Sequence, residues 1–100
     1  MNPIPRLHDA TLETLTFHWE AGVVQIRLST GINRTGTFTV EAFGVNRVVC
    51  PREFPWGPSD SVNEVKVQQV SEGLVLSIEM QSGDTLEICC GRVLTKSDEE

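Results

Sequence analysis

Two adjacent side chains near the start of the chain, His8 and Asp9, are the residue types that supply a general base and the carboxylate that orients it. Adjacent side chains diverge, so the simpler reading is a turn into the first strand, with Asp9 capping local N–H groups. His18 falls on a polar strand face with no partner at metal-ligand spacing. Cys50 has Arg47 and Arg52 nearby, and neighbouring cations can make a thiol reactive. No base or oxyanion partner accompanies it, so it is expected in the core. Cys89 and Cys90 are neighbours in a strand and should face opposite ways, Cys90 inward and Cys89 outward. Three cysteines, two of them adjacent, do not form a disulfide framework, and no C-x-x-C or Cys/His spacing marks zinc. No Gly-rich phosphate loop, G-x-S-x-G elbow or H-E-x-x-H helix occurs.

The richest recognition chemistry lies in the segment 53–63. Pro55 and Pro58 flank Trp56 and fix the backbone, so this stretch is a shaped loop. Trp56 suits either an exposed anchor or a plug for one end of the core. Asp60, Ser61 and Asn63 follow, then Glu64, as a polar rim. Asp60 and Asn63 supply too few oxygens for calcium, so no metal or other cofactor is expected. The candidate binding residues are Trp56, Asp60, Asn63 and Glu64, with His8 and Asp9; no catalytic residue is assigned.

The elements that carry these residues show period two. Leu15, Phe17 and Trp19 alternate with polar neighbours, as do Val24, Ile26 and Leu28, then Phe38, Val40 and Ala42. Leu74, Leu76, Ile78 and Met80 form another apolar face, and Leu86, Ile88 and Cys90 a fifth. Strands are expected near 11–19, 23–30, 36–43, 45–52, 62–70, 73–81 and 84–92. Tight connections fall at Glu20–Gly22, Ser71–Gly73 and Ser82–Asp84, with a flexible one over 29–36. Five one-sided apolar faces without an amphipathic helix require sheet on sheet. The expected fold is all-β: an antiparallel β-sandwich or partly closed barrel of about seven short strands. Residues 1–94 form a single β domain, and 95–100 form an acidic, disordered tail.

The composition is that of an ordinary globular domain, with 39% hydrophobic and 22% charged residues. The formal net charge is −6, half of it from Asp98, Glu99 and Glu100. With few basic residues and no tyrosine, a nucleic-acid partner is not expected. No apolar run is long enough to span a membrane, and the first residues lack the pattern of a signal peptide, so a cytoplasmic location is expected.

Several stretches together resemble a known kind of protein. They are Leu7, His8, Asp9 and Ala10 ahead of a strand ending in Trp19, Pro55–Ser59, Val62 with Asn63, and Ile78–Asp84. Over about residues 7–92 the chain resembles small, stand-alone bacterial β domains of unassigned function, a kind also found among immunity proteins of bacterial toxin systems. The resemblance implies a bacterial, cytoplasmic protein and carries no catalytic residues. The expected function is a non-enzymatic module binding another protein, most concretely an immunity-type inhibitor of a toxin. The alternative is a small-molecule or carbohydrate-binding β-sandwich in which Trp19 or Trp56 stacks on a ring. An edge strand offers a route to a homodimer.

Overall fold

The computed structural model describes residues 7–30 and 36–98. Eight strands follow in order: β1 (Thr11–His18), β2 (Val23–Thr30), β3 (Gly36–Phe43), β4 (Arg47–Val49), β5 (Val62–Val70), β6 (Gly73–Met80), β7 (Thr85–Cys90) and β8 (Arg92–Asp98). They form two four-stranded antiparallel sheets, ordered β1-β2-β3-β8 and β4-β7-β6-β5. The fold is all-β, and the open sheets pack as a sandwich rather than closing into a barrel.

The period-two faces meet in one core. Val24, Ile26 and Leu28 of β2 and Val40 and Ala42 of β3 are fully buried, as are Leu76, Ile78 and Ile88 of the opposing sheet. A strand register shifted by one residue would exchange this face with its polar complement, so the apolar pattern fixes the pairing. Two bends carry the chain between sheets. Gly44–Asn46 leads from β3 to β4, and Gly91 alone separates β7 from β8. Gly91 N–H donates to Phe43 O at 2.8 Å, and a Cβ on Gly44 would sit 3.6 Å from Gly91 N. The two bends therefore lie against each other at one corner of the sandwich.

Three expectations are corrected. The strand expected over 45–52 shrinks to Arg47–Val49, because Pro51 and the turn beyond it leave the sheet. The disordered tail expected over 95–100 is, through Asp98, the far part of β8. Thr95, Lys96, Ser97 and Asp98 pair with Val40, Thr39, Phe38 and Thr37. Polar composition hid this edge strand; it contributes ladder hydrogen bonds and few apolar contacts beyond Val93. The domain thus runs past 94. Trp19, expected inward, is 83% exposed. β1 ends at His18, and Trp19 belongs to the turn, where His18 and Trp19 carbonyls both accept from Gly22 N–H. Its ring leans on Phe17 with centroids 5.4 Å apart. The tail residues 99–100 and most of the expected 29–36 connection lie outside the described residues.

Candidate functional site

Asp84 organises the loop that carries Trp56. It follows the β6–β7 turn and is buried, only 6% exposed. Its two carboxylate oxygens accept the N–H groups of Glu53 at 2.8 Å and Phe54 at 3.0 Å. The Ser82 hydroxyl donates to Asp84 Oδ2 at 2.8 Å. Burial, the largest single influence, pushes this carboxyl up. The N–H of Glu53, the Ser82 hydroxyl, the N–H of Phe54 and the Arg52 charge together outweigh it and hold the group below the ordinary carboxylate value. The clamp also explains an unusual backbone. Phe54 has φ 52°, a conformation that bulky residues rarely adopt and that surrounding structure must enforce.

Beyond the clamp the loop is pinned at further points. Trp56 N–H donates to Ser82 O at 2.8 Å, Gly57 N–H to Phe54 O at 3.1 Å, and Leu12 N–H to Asp60 O at 2.8 Å. Ser61 N–H donates to Ser59 Oγ at 3.1 Å. Trp56 itself is 78% exposed. It is no plug: its indole lies against Gly83, where a Cβ would come within 2.8 Å of Cε3. The glycine gives the ring a seat, and the loop backbone holds it there.

Between this loop and β1 lies a cleft of about 500 Å³. Leu12 and Leu15 of β1 form one wall, and Pro51, Phe54 and Pro58 form the other. Met80 and Leu86 make an apolar floor, with Ser82 and Asp84 beside them. Arg52 covers the Phe54 ring at 4.5 Å, and Glu13 and Asp60 stand exposed at the mouth. An apolar hollow with a few placed polar groups is what a binding site needs. Of the tryptophans, neither lines it.

The remaining candidates gather at the start of β5. His8 Nδ1–H donates to Asn63 O at 3.0 Å, while its Nε2 is 3.6 Å from Asp9 Oδ1, beyond hydrogen-bond range. Asp9 has φ 69°; its N–H donates to Val62 O at 2.8 Å, and its carboxylate accepts from Gln81 Nε2 at 2.5 Å. Asn63 Nδ2 donates to Glu79 at 2.6 Å, and Glu64 pairs with Lys66 at 3.4 Å. His8 and Asp9 are thus tied separately to the β5 and β6 ends, with no hydrogen bond between them. The β6–β7 turn joins both groups: Ser82 holds Trp56, and Gln81 holds Asp9. Asp60 belongs to the cleft, and Glu64 stands on the exposed side of β5.

Cys50 corrects another expectation. It is exposed at the cleft, because the chain has left β4 one residue earlier. Cys90 is buried as expected and Cys89 half-buried. Burial pushes the Cys90 thiol up, opposed by a backbone hydrogen bond involving Arg92 and reinforced by the adjacent Cys89. Among the described residues, no three His, Cys, Asp or Glu side chains gather as metal ligands, and no helix is long and apolar enough to cross a membrane.

Sequence reasoning overlooked Asp84 and the cleft. Asp84 reads as an ordinary turn residue, yet it keeps the inward parity of Leu86 and Ile88, a signal that was available. The cleft depends on two segments meeting across the sandwich, which no local pattern reveals. The chain matches no protein-family model and no curated protein.

Proposed function

We propose that this protein is a non-enzymatic module that binds another protein through the 53–63 loop. The single observation that supports the reading is Trp56: a large aromatic ring, mostly exposed, on a loop whose backbone is fixed by the Asp84 clamp. A rigid, exposed tryptophan serves binding more than folding, since little ordering entropy remains to be lost on association. The most concrete version is an immunity-type inhibitor that occludes a basic toxin, in keeping with the formal charge of −6. In this reading the protein is bacterial and cytoplasmic, and Asp60 forms the polar rim beside the anchor. The cleft favours a second reading, a site for a small molecule or carbohydrate; a ligand there would raise the melting temperature with the logarithm of its concentration once above its Kd.

Capture from native lysate, followed by titration of whatever is captured, tests the first reading. Trp56→Ala should leave the melting temperature nearly unchanged and weaken the captured partner by about 2 kcal/mol or more. Trp19→Ala, equally exposed but on a turn, serves as the control and should bind as the native chain does. Equal binding by all three chains, or a collapse of stability in Trp56→Ala, would overturn the proposal.

A further inference from the structure

We infer that the outer edge of β1 takes up an extended segment of a partner protein, which pairs with Thr14–His18 and places a side chain in the adjoining cleft at Thr14–Leu15. The inference rests on the protein-binding reading and assigns it a second surface.

Backbone valence comes first. β1 pairs with β2 along one side, and among the described residues its other side is used only at the start, where Thr11 bridges Ser61 and Leu12 donates to Asp60. From Thr14 onward, among the described residues, no strand pairs with that side. Antiparallel ladders use the N–H and C=O of alternate residues on each side, so a row of donors and acceptors remains available.

The other outer strands are defended and this one is not. Natural sheets blunt their edges with charge, proline, bulges or brevity. β4 has three residues. β5 carries Lys66 and a register shift at Val62–Glu64. β8 carries Arg92 and Lys96. The β1 bulge lies between Leu12 and Thr14, ahead of the free stretch. The run Thr14-Leu15-Thr16-Phe17-His18 has neither proline nor a carboxylate, Lys or Arg.

The cleft supplies the second half of a strand site. It runs beside Leu12–Leu15. Side chains of an added strand alternate between faces, so the one facing inward opposite Thr14–Leu15, where the free stretch meets the cleft, would enter the hollow over Leu15, Phe54 and Leu86. Around the cleft Glu13 and Asp60 outnumber Arg52, whose guanidinium lies over Phe54, and so favour a segment that also carries Lys or Arg. A second copy is the poorer occupant. Two β1 edges pairing through five residues leave the far cleft wall untouched and fall well short of the roughly 1,200 Å² that a stable interface buries.

The test pans a random phage-displayed peptide library on the full chain, then measures synthetic forms of the enriched peptides. Enriched peptides should alternate apolar and polar residues and carry a basic one. N-methylation of the peptide backbone should weaken binding by about tenfold at alternate positions and little in between, the imprint of a ladder. Amide exchange of the bound chain should slow at alternate residues within Thr14–His18. No enrichment, indifference to N-methylation, or protection at another strand would refute the inference, as would a chain that sediments as a dimer with β1 already protected. Repeating the titration with Trp56→Ala separates the two proposals. Unchanged peptide binding leaves the β1 site standing whatever becomes of the loop. Loss of a captured partner in Trp56→Ala, with no peptide ever pairing to β1, removes this inference alone.

Discussion

At the scale of single residues, the chain places its polar chemistry where it organises backbone. Asp84 is the clearest instance. Its pKa is lower folded than unfolded, so it contributes stability that is complete above the ordinary carboxylate value of about 3.9 and is lost as pH falls through the depressed one. Asp84→Asn should therefore lower the melting temperature at neutral pH and lose less than the native chain between about pH 5 and pH 2. Parallel losses over that range would mean that another carboxylate governs acid unfolding. The thiols give a second prediction. Exposure ranks them Cys50, Cys89, Cys90, and burial keeps the Cys90 thiol protonated. A neutral maleimide-type reagent should modify native Cys50 first and Cys90 only on unfolding. Early labelling of Cys90 would contradict the burial of the β7 inner face.

At the scale of elements, β6 provides the strictest check on register. Ile78 is fully buried opposite Val65 and Leu86, so Ile78→Ala should cost about 2–5 kcal/mol in a denaturant titration. The neighbouring Glu79 faces away, accepting the Asn63 amide and facing Glu64 across the ladder. Glu79→Ala should cost under about 1 kcal/mol, since one hydrogen bond is lost and one like-charge opposition is relieved. Equal costs would shift the strand by one residue. Much of this level was legible in the sequence. β2, β3 and β5 begin and end at the expected bounds 23–30, 36–43 and 62–70, the first two on the alternation of Val24–Leu28 and Phe38–Ala42. The failures share a cause. Trp19, Cys50 and the polar end of β8 lie where pattern gives way to chain direction: a turn, an exit from a sheet, an edge. The site divided in the same way. The proline-framed loop with Trp56 was legible because its backbone chemistry is local. Asp84 and the cleft arise from contacts between segments far apart in sequence.

At the scale of the whole molecule, β8 seals one sheet although its sequence resembles a tail. Truncation after Leu94 removes the partners of Thr37–Val40 and exposes that side of β3. The truncated chain should melt at a clearly lower temperature, with faster amide exchange along β3. An unchanged melt would restore the view that these residues are dispensable. The same connectivity sets a timetable. β5, β6 and β7 are joined by tight turns, so that meander assembles from neighbours. The ladder between β3 and β8 joins distant parts of the chain and must close a long loop before it returns any stabilisation. Of the eight strands, β8 also emerges from a ribosome last. Until it arrives, β3 presents a bare edge whose inner residues, Phe38, Val40 and Ala42, are apolar. The interval between synthesis of the meander and docking of β8 is therefore when this chain is most exposed to aggregation.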